Sequence, residues 1–586
     1  NISYIYKENG GQASARNIGL KHVKTEWVTF IDPDDFVSND YFLEIDRFIF
    51  KNSNLSMVAC NLIFYYEDKK QFSNTHPLRF RFENDAVYPV NDLKKSFQLS
   101  ASSAFFLSKL IKDNNVIFDE RIKPNFEDGH FIASYLSHPI KSFVGFAKKP
   151  IYYYRKRSDG SSTLDTSWEK PGRYSDVLEY GYLNILEKYK SKFNTVPLHI
   201  QRSVLYDMFW HFKRIVNNPE KVNFLTAEQK NNYLILIDKV FKFIDKKTIL
   251  DFELAGSWFY HKVGILACFK NLSIDNQIAY IEDIDRAKNL IQIRYFTHDI
   301  TLEQFFVNSD EIYPSFAKTI KHDFLERTFV LERRVWVNFK NINDILTLKI
   351  SGKFARLSIA GKQYKTGVPF TIIKDFFDSQ IPSYVQDEKY QNAWLLMDRD
   401  TQADDNAEHL YRYISRQHPD QPIFFVLSKN SHDWIRLEKE GFNLIEFDSQ
   451  QHKAAVMSCS KIISSHADKY VTNLLGPKML SGRHFVFLQH GITKDDLSNW
   501  LNQKEAIDCF VTSTESEFKS ICDDYSRYKY SQKEVKLTGF PRHDHLINCK
   551  GNTEKLIVIM PTWRRSIVGN VIGDGNSRML NPDFMK

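Results

Sequence analysis

The chain of 586 residues lacks the long apolar run that a membrane-spanning helix requires, because no stretch of about 18 consecutive apolar residues occurs. It also lacks a dense Lys/Arg block, although its net charge is +7. The missing block argues against a nucleic-acid-binding surface, so no nucleic-acid partner is expected. A mildly basic balance suits phosphorylated substrates or an anionic membrane surface.

Cysteine is scarce, and none of the cysteines has CxxC or CxxH spacing. They are Cys60, Cys268, Cys459, Cys509, Cys522 and Cys549. This pattern favours reduced thiols over a disulfide framework or a metal site. We therefore expect a cytoplasmic protein. The basic charge is also compatible with a peripheral position on the inner face of the cell membrane.

The periodicity of apolar residues changes several times along the chain, which predicts an α/β multidomain protein. Residues 1–165 alternate strands and helices, and residues 166–324 carry helical spacing typical of a helical spacer. Residues 325–390 alternate as in a small β module. Residues 391–550 repeat a strand–helix unit that predicts a doubly wound parallel sheet, and a second such unit begins within residues 551–586.

Three acids, Asp32, Asp34 and Asp35, directly follow the apolar run Val28–Ile31. Carboxylates this close repel one another unless a cation joins them, and a hard divalent ion with oxygen ligands fits. Such an ion would bridge the acids to a diphosphate. The alternative is capping of a helix N-terminus, for which Asp-Pro-Asp-Asp is also suitable.

The segment Asn9–Gly19, the apolar run and these acids together resemble the family-2 glycosyltransferases of GT-A fold, over roughly residues 1–160. The resemblance implies that Asp34 binds Mg²⁺ or Mn²⁺, with Asp32 and Asp35 beside it. It also implies that Gly10 and Arg16 line the pocket of a nucleotide sugar, expected to be UDP-linked.

Residues Asn125–Asp128 resemble the Glu-Asp motif of the same family. The resemblance implies that Asp128 is the general base on the acceptor hydroxyl. Burial beside Glu127 would raise the pKa of this acid towards a useful value. The alternative is an exposed pair of acids at the start of a helix.

His490 follows an apolar strand and precedes Gly491. A histidine freed at the carboxyl end of a strand is placed for general-base chemistry, although a lone histidine there also suits a structural role. Its neighbours favour the first interpretation. They are Asp398-Arg399, Asp404–Leu410, Ser464–Asp468, Gly539–Arg542 and Pro561–Arg564.

In this order and spacing, these segments resemble the CDP-glycerol glycerophosphotransferases over about residues 390–565. Members of that family polymerise teichoic acids and related capsules. The resemblance implies a GT-B-like fold in which His490 deprotonates the acceptor hydroxyl. Arg542 and Arg564 would contact phosphates, for which guanidinium groups are suited, or else simply lie on the surface.

Both resemblances together predict a bifunctional polymerase of the capsule or teichoic-acid type. It would add a sugar from a nucleotide sugar and glycerol phosphate from CDP-glycerol, alternately, to a growing glycan or polyol-phosphate acceptor. Peripheral contact with the membrane or with capsule-export machinery is compatible with this interpretation. The alternatives are CDP-ribitol or another CDP-polyol as donor, or a non-catalytic protein that binds anionic glycans.

Both families also have parts that this sequence does not carry. The opening strand of the GT-A domain is missing before Asn1, and the second histidine of the donor domain is missing before Lys586. We therefore expect a fragment truncated at both ends, with an incomplete second half of the GT-B-like domain and little activity alone.

Overall fold

A computed structural model of the chain describes residues 2–138, 143–157, 166–299, 302–504 and 506–548, and also residues 557, 559, 571–572 and 577–578. Among the helices of these residues, none has both the length and the apolar character needed to cross a bilayer. The overall class is mixed α/β with several regions, as the sequence predicts.

The N-terminal region is built on one mixed sheet in the order β1-β6-β3-β7-β2, with β4 beside β3 and β5 beside β7. Its strands are β1 (Trp27–Thr29), β2 (Phe36–Val37), β3 (Leu55–Tyr66), β4 (Gln71–Ser73), β5 (Ala86–Pro89), β6 (Ala104–Leu107) and β7 (Phe143–Lys156). Its helices are α1 (Gln12–His22), α2 (Tyr41–Lys51), α3 (Ser108–Asp113) and α4 (Glu127–Leu136).

Alternation along β3 gives this sheet two different faces. Val58 and Cys60 pack in the cluster that contains helix α2. Met57 and Ala59 point the other way and share a core with Phe131 of helix α4. The start of α4 and the end of β1 therefore meet on one side of the sheet, where the predicted acids lie.

The helical region contains a π-helix, Val177–Leu183, that continues into α5. Its α-helices are α5 (Asn184–Phe193), α6 (Leu198–Ile215), α7 (Ala227–Lys242), α8 (Lys246–Leu250) and α9 (Phe259–Lys270). Its core is continuous with the regions on both sides. Phe97 and Ile122 of the N-terminal region belong to the same buried cluster as Phe212, and so do Phe324 and Phe329 from the strands that follow.

The predicted boundary at residue 325 between helices and strands is wrong, because strands already begin at Ile278. Ile281, Ile291 and Ile293 are buried, and polar residues that alternate with them are only partly buried, so these strands have two different faces. Lys, Glu and Tyr are frequent in the segment that begins at Ile278, as they are in the helices before it, and its sequence therefore resembles theirs.

The strands of this β region form two sheets, β12-β13-β9-β8-β16-β17 and β11-β10-β14-β15 with β18 beside β14. They are β8 (Ile278–Asp285), β9 (Leu290–Thr297), β10 (Glu303–Val307), β11 (Asp310–Ile312), β12 (Phe316–Phe324), β13 (Arg327–Asn338), β14 (Ile345–Ile350), β15 (Lys353–Phe354), β16 (Arg356–Ile359), β17 (Lys362–Tyr364) and β18 (Val368–Pro369). Helix α10 (Phe370–Ser379) follows.

Buried polar contacts join the β region to the C-terminal region. The Lys318 ammonium donates to the carbonyl of Ile521 at 2.9 Å and to the Ser526 hydroxyl at 2.8 Å. The Trp336 indole N–H donates to Glu534 at 3.0 Å. These bonds fix the two regions against each other.

The C-terminal region is the doubly wound parallel sheet that the sequence predicts, in the order β21-β20-β19-β22-β23-β24-β25. Its strands are β19 (Trp394–Met397), β20 (Ile423–Leu427), β21 (Leu444–Glu446), β22 (Lys461–Ser464), β23 (His484–Phe487), β24 (Cys509–Thr512) and β25 (Val535–Leu537). Its helices are α11 (Asn406–Gln417), α12 (Trp434–Lys439), α13 (Gln450–Ser458), α14 (Lys469–Thr472), α15 (Ser498–Leu501), α16 (Glu515–Cys522) and α17 (Pro541–Asn548).

The strand order of this sheet reverses between β19 and β22. Ligands of such sheets bind beyond the carboxyl ends of the strands at this switch point. The predicted second unit in residues 551–586 lies almost wholly outside the described residues. Those described within it are residues 557 and 559 and the short strands β26 (Val571–Ile572) and β27 (Ser577–Arg578).

Candidate active sites

Arginines neutralise two of the three acids that follow β1. Arg16 pairs with Asp32 at 2.8 Å, and Arg157 pairs with Asp34 at 2.7 Å. The Asp34 and Arg157 side chains remain 35% and 43% exposed, so this pair is open to solvent. The repulsion expected among these acids is thus relieved in part by cationic side chains of the chain itself.

Asp35 is held by strand β7. The hydroxyl of Tyr152 donates to one carboxylate oxygen at 2.7 Å, and the backbone N–H of Arg155 donates to the other at 2.8 Å. Burial raises the pKa of Asp35 to about 6 despite these two donors, and the nearby Asp32 and Asp34 act in the same direction.

Arg16 lies at the centre of the N-terminal acids. Its guanidinium bonds Asp128 as well as Asp32, and it lies 3.7 Å from Glu127. The ring of Phe118 is 5.3 Å away and covers it. Burial opposes the charge of Arg16, but the three carboxylates outweigh burial and raise its pKa. The sequence associates Arg16 with the nucleotide-sugar pocket, whereas the structure places it between the acids of β1 and α4.

The motif acids Glu127 and Asp128 are not an exposed pair. Glu127 is 3% exposed, and the Asp128 side chain is 18% exposed. Burial raises the pKa of both, to about 8 for Glu127, and Arg16 opposes the shift. The second oxygen of Asp128 accepts the backbone N–H of Ala101 at 2.8 Å, which fixes the orientation of the carboxylate.

Gly10 lies just before helix α1. A Cβ at this position would come within 3.0 Å of Lys7 Nζ and Ser14 Oγ. The predicted contact of Gly10 with a nucleotide sugar remains a prediction.

Side chains of the helical region support the loop that leads into α4. Arg173 donates to Asn125 Oδ1 at 2.8 Å. Phe126 adopts a left-handed backbone with φ of 78°, and its ring packs edge-on against Tyr182 at 4.6 Å between centroids. The sequence contains no local signal for these contacts, because the partners are about 50 residues apart.

In the C-terminal region, Asp398 organises the loop after β19. Its carboxylate accepts the hydroxyl of Ser465 and the backbone N–H groups of Asp405 at 3.1 Å and Ala407 at 2.9 Å. The start of helix α11 is thereby capped by an acid from the neighbouring loop. Burial raises the pKa of Asp398 to about 7, and Asp405 adds to the shift.

His490 is exposed, and its ring stacks on that of His466, with centroids 5.1 Å apart and planes inclined by 8°. Burial, together with His490 and Arg399, lowers the pKa of His466 to about 4, which keeps it neutral near pH 7. His466 belongs to a predicted motif segment, but no role was predicted for it.

Arg542 lies at the same edge of the sheet. It pairs with Asp405 at 2.9 Å, and its backbone N–H donates to Asn406 Oδ1 at 3.2 Å. The Asn406 amide in turn donates to the carbonyl of Gln489 at 2.7 Å, next to His490. The loops after β19, β23 and β25 therefore converge at one edge of the sheet. Arg564 lies outside the described residues.

Within the part of the chain that the structure describes, no group of three or more His, Cys, Asp or Glu side chains is arranged to hold a metal ion. The cysteines found there are free thiols.

Two protein families match this chain. The model of the CDP-Glycerol:Poly(glycerophosphate) glycerophosphotransferase family matches residues 381–584, and that of Glycosyl transferase family 2 matches residues 1–112.

Among curated proteins, the minor teichoic acid biosynthesis protein GgaB of Bacillus subtilis is 27% identical, over 100% of this chain and 74% of its own length. The teichoic acid poly(glycerol phosphate) polymerase of Staphylococcus epidermidis is 25% identical, over 31% of this chain and 24% of its own length. A solved chain of S. aureus TarS, covering its residues 1–349, is 16% identical with a TM-score of 0.31, over 42% of this chain and 64% of that one. Residues 1–112 are therefore similar to family-2 glycosyltransferases, and residues 381–584 are similar to CDP-glycerol glycerophosphotransferases.

Proposed function

We propose that this protein builds a teichoic-acid-type or capsular polymer by alternate addition of a sugar and of glycerol phosphate. The observation that carries the proposal is the presence of two separate polar centres, each at the end of its own sheet. One contains Arg16, Asp32 and Asp128, and the other contains His466, His490 and Arg542. The names of GgaB and of the poly(glycerol phosphate) polymerase support the polymer class.

In the first centre, Asp128 accepts the proton of the acceptor hydroxyl. The hydroxyl oxygen attacks the anomeric carbon of the sugar while the bond to the nucleotide diphosphate breaks, and the diphosphate leaves with the electron pair. A buried carboxylate with a raised pKa is suited to general-base chemistry near neutral pH. Arg16 and the N–H of Ala101 hold Asp128 in one orientation.

The acids after β1 are the candidate ligands of a divalent cation. They offer hard oxygen donors within four residues, and Asp34 is open to solvent beside Arg157. Asp34 would hold Mg²⁺ or Mn²⁺, with Asp32 and Asp35 beside it. When bound, such an ion stabilises the negative charge of the departing diphosphate, here of a UDP-linked sugar.

In the second centre, His490 accepts the proton of the acceptor hydroxyl, whose oxygen attacks the β-phosphorus of CDP-glycerol. The bond to the α-phosphate oxygen breaks, and CMP leaves. Arg542 is placed to contact a phosphate, because its guanidinium lies at the sheet edge near His490. Arg564 is proposed for the same role from its motif alone.

The test supplies the whole protein with an oligomeric primer, UDP-sugars and CDP-glycerol, and follows the products by mass spectrometry. We expect extended growth only with both donors and at most a single addition with either donor alone. Extended growth with one donor would overturn alternation. The same spectra separate glycerol from ribitol, because replacing CDP-glycerol by CDP-ribitol changes the mass of each added unit.

The acceptor is a growing polymer and the donors are nucleotides, so we place the reaction in the cytoplasm, at the inner face of the cell membrane. The mildly basic charge of +7 suits contact with an anionic surface there. Loss of the protein from washed membranes at low salt would contradict this location.

A further inference from the structure

One buried amide connects three segments at the switch-point edge of the C-terminal sheet. Asn406, the first residue of helix α11, is 0% exposed. Its Nδ2 donates to the carbonyl of Gln489 at 2.7 Å, and its Oδ1 accepts the backbone N–H of Arg542 at 3.2 Å. These partners are 83 and 136 residues away in the sequence. The side chain therefore joins the loops after β23 and β25 to the start of α11.

Capping of α11 does not account for this side chain. Other acids already accept the first N–H groups of the helix. Asp405 accepts the N–H of Asn406 at 2.8 Å, and Asp398 accepts those of Ala407 at 2.9 Å and Glu408 at 3.2 Å. Carboxylates in these positions satisfy the start of a helix. The Asn406 amide makes its bonds to distant segments instead.

The carbonyl that Asn406 holds belongs to a residue with an uncommon backbone conformation. Gln489 is left-handed, with φ of 62°, which few residues with a side chain adopt. Its Nε2 donates to the carbonyl of Val511 at 2.7 Å, and its Oε1 accepts the hydroxyl of Thr493 at 2.9 Å. Together with the bond from Asn406, these contacts fix the turn that carries His490.

Arg542 faces the same turn. Its Nη2 lies 3.9 Å from the position that a Cβ on Gly491 would take, directly after His490. Its Nη1 pairs with Asp405 at 2.9 Å. Burial raises the pKa of Asp405, whereas the N–H of Asn406, Arg542 and His490 oppose this shift. The proposed base and the proposed phosphate-binding arginine therefore lie around one carboxylate, next to the amide that holds both their loops.

We infer that Asn406 is a positioning residue for glycerol phosphate transfer, which keeps His490 and Arg542 at a fixed separation. This inference rests on the proposed roles of these two residues. An amide side chain donates and accepts at once, so one group can hold a carbonyl of one loop and an N–H of the other. The separation matters because the base and the phosphate contact act on the same reaction, and a misplacement of about 1 Å costs roughly 100-fold in rate.

The same sheet offers a matched control, the half-buried Asn502. Its Nδ2 donates to the carbonyl of Arg527 at 2.8 Å, and its Oδ1 accepts the N–H of Lys529 at 2.9 Å. It therefore bridges two segments with the same chemistry as Asn406. These segments precede the parallel strands β24 and β25, so they lie at the edge of the sheet opposite to His490 and Arg542.

The test compares Asn406→Ala with Asn502→Ala in the whole protein, with an oligomeric primer, CDP-glycerol and UDP-sugars. Both variants lose two hydrogen bonds to backbone groups, so both should unfold at lower denaturant concentration. Only Asn406→Ala should lower kcat for glycerol phosphate transfer, by roughly 10- to 100-fold. Sugar transfer should be unchanged in both variants, because its centre lies on another sheet.

A double-mutant comparison separates positioning from a purely structural role. If Asn406 acts through His490, adding Asn406→Ala to His490→Ala should lower the residual rate much less than Asn406→Ala lowers the native rate. A fall by the same factor in both backgrounds would overturn the inference. So would equal kcat values in Asn406→Ala and Asn502→Ala.

Asn406→Asp applies the test even where the alanine variant does not fold. It keeps the size of the side chain and an acceptor for the Arg542 N–H, but it places a carboxylate oxygen against the carbonyl of Gln489. It should lower kcat and leave the KM for CDP-glycerol unchanged, and an unchanged kcat overturns the inference. Unchanged glycerol phosphate transfer in His490→Ala would instead contradict the proposed function, so the two failures are distinguishable.

Discussion

Arg173 and Asp207 form an ion pair inside the helical region, with the guanidinium donating to both carboxylate oxygens at 2.8 and 3.1 Å. The Arg173 side chain is 1% exposed. The same guanidinium reaches Asn125, three residues before Asp128. The glycosyl-transfer centre is therefore supported by side chains that lie beyond its own sheet.

Replacing Arg173 by Met should lower the free energy of unfolding by about 3–5 kcal/mol, because the half-buried carboxylate of Asp207 loses its cationic partner. Sugar transfer should fall as well, since the loop at Asn125 loses its anchor. Denaturant unfolding and donor-resolved transfer assays measure the two effects. The matched control is Arg327→Met, which removes a pair with Asp238 whose side chains are 33% and 37% exposed, and should cost less than about 1 kcal/mol. Equal losses in both variants would contradict the prediction.

Asp128→Asn should reduce sugar transfer by roughly 10²–10⁴-fold, because the amide cannot accept the proton of the acceptor. Glycerol phosphate transfer should remain, and so should binding of the nucleotide sugar. Initial rates with each donor separately test this expectation. Asp46→Asn, an exposed acid on α2, serves as the control. Retained sugar transfer in Asp128→Asn would exclude this acid as the base.

His490→Ala should reduce glycerol phosphate transfer by roughly 10²–10⁴-fold and leave sugar transfer unchanged. His466→Phe should retain more activity, because His466 is neutral near pH 7 and its ring contributes the stacking surface. The matched control is His432→Ala, which truncates a histidine that is 75% exposed in the same region. An equal loss of glycerol phosphate transfer in His466→Phe and His490→Ala would show that the His466 imidazole contributes more than a stacking surface.

Glu332 should make the β region sensitive to acid. It is buried and bonded to Arg334 at 2.6 Å and to His322 at 3.0 Å. Burial alone would raise its pKa, but Arg334, His322 and Arg294 outweigh burial and lower it. A lowered folded-state pKa stabilises the fold above the ordinary glutamate value of 4.5, and this contribution is lost as the pH falls below it.

Thermal unfolding measured between pH 7 and pH 3 tests this direction of the pH dependence of stability. Glu332→Gln should be less stable than the native protein at neutral pH, and the difference should shrink as the pH falls below about 4. Glu326→Gln, an exposed change in the neighbouring turn, should follow the native curve. A stability difference between Glu332→Gln and the native protein that stays constant with pH would contradict the proposed role of Glu332 ionisation.

The sequence predicts the C-terminal sheet closely, because each strand is a short apolar run between polar segments. β19, β20 and β22 are runs of this kind. The sequence does not distinguish the strands from Ile278 to Phe324 from helix, because polar and apolar residues are mixed along them and the segment contains no glycine. Local pattern distinguishes such strands poorly from amphipathic helices.

In the candidate sites too, some features follow from local sequence patterns and others depend on contacts between distant segments. Motif spacing predicts roles for Asp34, Asp128 and His490 one residue at a time. The structure places Asp34 after β1, Asp128 in the first turn of α4 and His490 after β23. The pairing of Arg16 with both Asp32 and Asp128, and the support from Arg173, depend on contacts between distant segments. Nothing in a local pattern reports which cation will neutralise which acid.

The buried joint at Lys318 and Trp336 has a consequence for how a polymer would be made. Together with the core shared by the first three regions, it ties both reaction centres to one framework. Neither centre can then swing towards the other, so the growing end itself has to travel. A primer shorter than the distance between the two centres must leave and rebind between additions. Only a polymer long enough to stay attached to the protein can be extended without release.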